Sequence, residues 1–279
     1  MRPAISQVST LAASFEDDLD GVADAAGTAV ELWLTKLEEY LANHTVAEVK
    51  ARAEDRGLKF AAASYQGGLL LSQAEARRAA WELFERRLDL CQALSVPTIV
   101  ITADFLGPFQ EVDIERAQVS LKQAGQLAAT RGVKLALEFQ ARNTFLNNLE
   151  TAAYFMQSVQ EPSVGLCLDM FHFSTGSSKT EDLAYLSAQN LFHVQVCDIA
   201  DRPRELAADS DRILPGDGDF HYQPIIEHLR RINYEGFVSL ELLNPLFWKI
   251  DPARVAEIGL TALRIILGQN VPKKTASDQ

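Results

Sequence analysis

VGLCLDM, residues 164–170, is a run of strand-forming apolar residues that ends in an acid. Side chains alternate across a strand, so Cys167 and Asp169 share one face while Leu166 and Leu168 share the other. A carboxylate on an apolar strand is costly to bury unless something compensates its charge. The same design recurs on either side of this segment. VKLALEF (133–139) places Glu138 on the face of Ala136, with Leu135 and Leu137 opposite. FVSLELL (237–243) places Glu241 on the face of Ser239, with Leu240 and Leu242 opposite. LFHVQVC (191–197) puts Gln195 two residues after His193, with Val194 and Val196 facing away. Four successive strands therefore aim one oxygen-bearing side chain each at a shared interior.

Four earlier segments complete the set: PAISQVS (3–9), TAVELWL (28–34), LKFAAAS (58–64) and PTIVITA (97–103). Between the eight lie apolar positions at three-to-four spacing. They predict helices over 15–26 after Ser14, 46–56 after Thr45, 75–94, 114–130, 149–159, 181–188, 222–232 and 252–267. Gly27, Gly57, Gly132 and Gly236 sit between a helix and the next strand, where a left-handed cap is wanted. An unbroken strand–helix alternation of eight units points to an α/β fold, the (β/α)₈ TIM barrel. The rival, a doubly wound sheet, lacks a glycine-rich fingerprint after its first strand. With no Pro-, Gly- or Ser-rich linker, residues 1–268 are expected to form one barrel, followed by a polar tail, 269–279.

In a barrel the four polar strand ends lie on the C-terminal rim, where active sites form. Three carboxylates there repel one another in a low dielectric, and a divalent cation relieves this. The competing reading pairs each acid with a core cation, but Lys134, two inward steps below Glu138, is one of few inward-facing cations. Glu138, Asp169, Gln195 and Glu241 thus form the candidate metal site. An all-oxygen set favours Mg²⁺ or Mn²⁺, with Co²⁺ or Zn²⁺ less suited. Here Gln195 offers its amide oxygen, and His193, one layer deeper, is a hydrogen-bonded core histidine that supports the ligands.

The chain has 279 residues, 47% of them apolar, and a net charge of −12. That acidity argues against nucleic-acid binding. No apolar run is long enough to span a membrane, and the N-terminal segment meets acidic residues too early for a signal peptide. Three cysteines without close spacing suit the reducing cytoplasm.

LALEF, LCLDMFH, HVQVCD, RILPGDGDF and FVSLELLN resemble the xylose-isomerase-like barrels grouped as sugar phosphate isomerases and epimerases. The similarity is strongest over residues 133–244, and AVELW (29–33) also fits. The resemblance implies one divalent metal held through Glu138, Asp169, Gln195 and Glu241. Many relatives have histidine at the third of these positions. Glutamine there resembles two dehydratase branches, acting on inosose and on 3-dehydroshikimate. The resemblance further implies that His172 and Arg212 contact substrate. Arg142 and Arg202 lie in strand-to-helix loops and could hold a carboxylate or phosphate. PGDGDF (215–220) reads as a tight turn rather than a phosphate loop, and Phe247 and Trp248 either wall the pocket or pack. Dimers or tetramers are common among such barrels, so a homo-oligomer is an available assembly.

A hard cation among carboxylates suits proton abstraction beside a carbonyl, with Glu138 and Glu241 as the acid–base pair. The leading expectation is an isomerase or epimerase of a small sugar or polyol that works through an enediolate. The alternative is a dehydratase on the same site. An apurinic endonuclease would need a histidine-rich zinc cluster, and five histidines on an acidic chain do not supply one. A non-catalytic sugar-binding barrel is the remaining reading.

Overall fold

The computed structural model describes residues 1–271. Among them, eight strands close into a parallel barrel in sequence order: β1 (Arg2–Ser6), β2 (Ala29–Trp33), β3 (Lys59–Gln66), β4 (Thr98–Thr102), β5 (Lys134–Glu138), β6 (Val164–Asp169), β7 (Leu191–Val196) and β8 (Phe237–Leu240). Helices α1 (Phe15–Asp24), α2 (Leu34–Leu41), α3 (Val46–Asp55), α4 (Ala74–Ala93), α5 (Glu111–Ala129), α6 (Leu149–Val159), α7 (Met170–Thr175), α8 (Tyr222–Arg231) and α9 (Pro252–Ile266) wrap it. The α/β barrel read from the alternation is the fold observed.

Local chemistry accounts for where the helices begin. Ser14 accepts from the Asp17 amide at the head of α1, and Thr45 and Glu48 form a reciprocal capping box on α3. Asn148 caps α6, while Asp251 caps α9 ahead of Pro252 in its first turn. Gly57 and Gly132 take the left-handed backbone expected of them (φ 66° and 69°). Before β2 and β8 that conformation falls instead to Ala26 and Asn233.

The structure departs from expectation in three places. Strand 1 ends at Ser6 and tightens into a 3₁₀ turn over Gln7–Thr10. There the Gln7 side chain accepts from the Trp33 amide, and Ser9 bridges Leu240 O and Leu242 N, so side chains replace the ladder. Helix α2 starts directly at the end of β2, with no loop to announce it. The helix expected over 181–188 is a 3₁₀ turn, Thr180–Tyr185. The α-helix of that connection, α7, begins at once after β6 because the Asp169 side chain caps it through the Phe171 amide. Of the expected tail 269–279, residues 272–279 lie outside the described residues.

The main core lies between barrel and helices, where outward-facing Leu135, Leu137, Leu166, Leu168 and Leu240 are fully buried. Inside the barrel, Ala4, Ala29, Ala61 and Phe237 make a separate apolar layer, and Val100, Ala136 and Cys167 another. Each such layer is packed filling rather than a channel. Lys134 is not an interior cation: it is exposed, with its ammonium 4.6 Å from the Phe192 ring centre at the opposite mouth.

Candidate functional site

Glu138 and Asp169 are the last residues of β5 and β6, Gln195 lies near the end of β7, and Glu241 directly follows β8. Strand register sets Asp169 beside Gln195 and Gln195 beside Ser239. All four side chains are buried. Above them opens a cavity of about 280 Å³, lined by Glu138, Gln195 and Glu241 and walled by Trp33, Tyr65 and Thr102.

Arg212, from the loop after β7, reaches under this cavity and is itself almost fully buried. Its Nη2 donates to Asp169 Oδ2 (2.8 Å) and its Nη1 to Glu241 Oε2 (2.9 Å). Nε and Nη2 both meet Asp209 Oδ1, at 3.0 and 2.8 Å, and Nη1 also faces Cys197 Sγ at 3.8 Å. The guanidinium stacks over Phe171 at 4.4 Å. A guanidinium has five N–H donors, so these contacts leave it none to spare. Arg212, expected at the substrate, lines the cavity with its donors already directed at carboxylates. Asn244 holds the loop by donating to Arg212 O.

One guanidinium does not balance the acids. Burial first, then repulsion from Glu241 and Asp169, raises the proton affinity of Glu138 well above that of an ordinary carboxyl. Glu241 is pushed up in the same way by burial; Arg212 pulls it back in part, and Asp169 pushes it further. Glu138 Oε2 accepts from Gln140 (2.6 Å), while Oε1 faces His172 Nε2 at 3.9 Å. That same nitrogen is 3.7 Å from Asp169 Oδ2. Burial lowers the His172 pKa, and its Nδ1 accepts from the Ala141 amide, so the neutral ring carries its proton on Nε2, toward the two acids. Ligand atoms of Glu138, Asp169 and His172 all fall within 4.8 Å of one another.

A second polar layer lies below. Glu31 on β2 accepts from Ser64 (2.7 Å) and Gln195 Nε2 (2.8 Å) on one oxygen and pairs with His193 Nε2 (2.8 Å) on the other. Burial favours the neutral acid, but His193 and the hydrogen bonds outweigh it and hold the Glu31 pKa below its usual value. His193 also meets Ser239 at 3.2 Å, so it is the hydrogen-bonded core histidine expected. Gln195 turns its NH₂ to Glu31 and Glu241, and its oxygen accepts from the Cys167 thiol at 3.1 Å. The amide oxygen expected to face the acids therefore points the other way; a half-turn of the terminal amide exchanges the two atoms.

Other candidates fall outside the cavity wall. Arg142 donates to Ala207 O and lines a neighbouring hollow. Arg202 is half exposed and pairs with Asp211. Trp248 packs by donating to Val8 O. The PGDGDF turn wraps Asp198, whose carboxylate accepts from the amides of Gly216 and Phe220. Gly218 is required there, because a Cβ would lie 2.2 Å from Ile199 O.

Residues 19–266 match the family described as xylose isomerase-like TIM barrel. The chain belongs to this family. It is 28% identical to the inosose isomerase of Halalkalibacterium halodurans over 78% of each chain. It is 26% identical to the 3-dehydroshikimate dehydratase of Pseudomonas aeruginosa over 94% of this chain, which spans only 41% of that longer protein. Among solved structures, the IolI protein with a bound zinc atom superposes with a TM-score of 0.90 at 23% identity, covering 96% of this chain and 98% of the other. With relatives named isomerases and dehydratases, this xylose isomerase-like barrel is an enzyme of that kind.

Sequence reasoning missed two residues of the barrel's polar interior. Glu31 was visible in AVELW, where alternation with Ala29 and Trp33 already turns it inward. Asp104, on the cavity wall two residues past β4, carried no signal because a single acid in a loop is ordinary. Among the described residues, no helix is long and apolar enough to cross a membrane.

Proposed function

We propose that this chain is a divalent-metal-dependent isomerase or epimerase that enolises a small sugar or polyol ketone. The observation that carries the reading is the pair Glu138 and Glu241, on β5 and just past β8, two buried carboxylates that line one cavity. Two carboxylates that reach the same space can remove a proton next to a carbonyl and return it.

The donor set fits a hard divalent ion. Arg212 pairs with Asp169, Glu241 and Asp209 and makes no ion pair with Glu138, so its single charge leaves a surplus of negative charge that suits one divalent cation. Glu138, Asp169 and Glu241 would hold it together with Gln195, once its amide is turned. Bound there, a divalent cation would supply Lewis acidity beside the substrate carbonyl. Asp169 is held rigid by the Phe171 amide and Arg212, so its role is to fix position. Glu138 and Glu241 exchange the proton, one as base and the other as acid. His172 Nε2–H, aimed at the same space, donates to a substrate oxygen. Trp33 and Tyr65, with ring centres 5.3 Å apart, wall the ligand from water.

A dehydratase acting on the same site is the second reading. Gln195 in the slot where many relatives carry histidine favours it, as does the dehydratase relative. The test is to incubate the Mn²⁺-supplemented protein in D₂O with an inosose, a ketohexose and 3-dehydroshikimate. Deuterium entering the carbon beside the ketone without loss of water supports the first reading. A conjugated, ultraviolet-absorbing product supports the second, and neither outcome with any ketone refutes both.

A further inference from the structure

Two more acids stand on the cavity wall, Asp104 and Asp209. Among the described residues that line it, Arg212 is the one permanent cation, and its N–H donors already serve Asp169, Glu241, Asp209 and Cys197. An entering carboxylate or phosphate gives up its hydration and needs cationic N–H donors in return. Even with a divalent cation on Glu138, Asp169 and Glu241, it would still meet Asp104 and Asp209 with no free cationic N–H donor among the described lining residues. A neutral hydroxyl suits the wall better, because it can donate to an acid and accept from an amide. Asp104 is also short of partners. Its Oδ2 accepts a long bond from the Leu71 amide, 3.4 Å, the amides of Leu70 and of Asp104 itself also act on the carboxyl, and its buried Oδ1 has no hydrogen-bond partner among the described residues. Asp104 lines the cavity, and the terminal torsion of an aspartate is soft enough for its carboxylate to reorient toward a bound hydroxyl. The neighbouring backbone fixes its place: the Ala103 amide bonds Glu138 O, and Asn143 bonds Ala103 O, which ties the Asp104 loop to the end of β5.

We propose that this site selects uncharged polyhydroxy ketones against anionic ones, with Asp104 as the specificity-determining residue that accepts a substrate hydroxyl. The inference rests on the enolisation reading for the nature of the reacting ketone and adds the charge class of the substrate.

The experiment is calorimetric titration of the Mn²⁺-supplemented full chain with an inosose and a ketohexose, set against 3-dehydroshikimate and a ketohexose phosphate. The neutral ligands are expected to bind roughly tenfold or more tightly than the anions. Asp104→Ala should weaken the neutral ligands by roughly tenfold to a hundredfold, the worth of a hydrogen bond to a charged group. Asp104→Asn, which keeps the shape and removes the charge, should narrow the gap between the two classes. Equal or tighter binding of the anions by the unmodified chain overturns the inference. So does binding of neither class, or an unchanged ratio in both variants. Neutral ligands that bind selectively while no deuterium enters them support the selectivity and count against enolisation alone, so the two failures are distinct.

Discussion

Replacing Arg212 with methionine tests how the acids are held apart from one another. The side chain is almost wholly buried, and its guanidinium reaches Asp169 at 2.8 Å and Glu241 at 2.9 Å. Removing one partner of a buried ion pair costs about 3–5 kcal/mol, since the remaining charges keep no compensation. For a chain of this size each kcal/mol lowers the melting temperature by about 2–4 °C, so Arg212→Met should melt roughly 6–20 °C below the parent. Two conditions should shrink the loss. At low pH the acids take up protons and the repulsion fades. At neutral pH a divalent ion supplies the missing charge, so Mn²⁺ should restore more of the melting temperature in Arg212→Met than it adds to the parent. The assay is thermal unfolding followed by circular dichroism at pH 5 and pH 8, with Mn²⁺ and with a chelator. A variant that melts like the parent at pH 8 in chelator, or whose deficit is the same in all four conditions, would refute this electrostatic reasoning.

Further outcomes follow from the same geometry. Glu138→Gln and Glu241→Gln should each slow deuterium entry by about 10²–10⁴-fold, measured by proton NMR of the recovered ketone, while an unaffected rate in either removes that residue from the proton pathway. Glu31→Gln replaces one of two acceptor oxygens with an NH₂, so either His193 or the Ser64–Gln195 pair loses its acceptor; it should destabilise the fold by about 1–3 kcal/mol per orphaned group and weaken Mn²⁺ binding by about 10–100-fold, both readable by denaturant titration and calorimetry. The pH dependence has a definite sign. Folding raises the proton affinity of Glu138 and Glu241 above the unfolded value of 4.5, so the native state binds more protons than the unfolded chain across that interval. In chelator, stability should therefore fall as pH rises from about that value through the raised folded pKa. Mn²⁺ affinity should rise over the same window, because the ion competes with those protons. A chelated protein that grows more stable over that window would contradict the raised affinities.

The barrel was legible because its determinants are local. Alternating leucines on VKLALEF and VGLCLDM fix which face meets the helices, and the acids at their ends follow from parity alone. What stayed hidden depends on contacts distant in sequence. Helix α2 merges with β2 in one apolar run, so its start has no punctuation. Asp169 acts as a helix cap, which neither strand pattern nor motif announces. The role of Arg212 was the largest gap. An arginine in a loop beside acidic residues reads as a solvated rim charge or a substrate ligand. Only the closed barrel brings it 43 residues back to Asp169 and 29 forward to Glu241. The orientation of the Gln195 amide depends likewise on Glu31, 164 residues away.

The central claim is that Glu138, Asp169 and Glu241, with Gln195, converge on one hard cation. Equilibrium dialysis of the full chain against Mn²⁺ tests it most directly, with bound metal counted by elemental analysis. One ion per chain is expected, falling toward zero in Glu138→Gln and in Glu241→Gln. A parent chain that retains no metal, or variants that retain as much as the parent, would contradict the account.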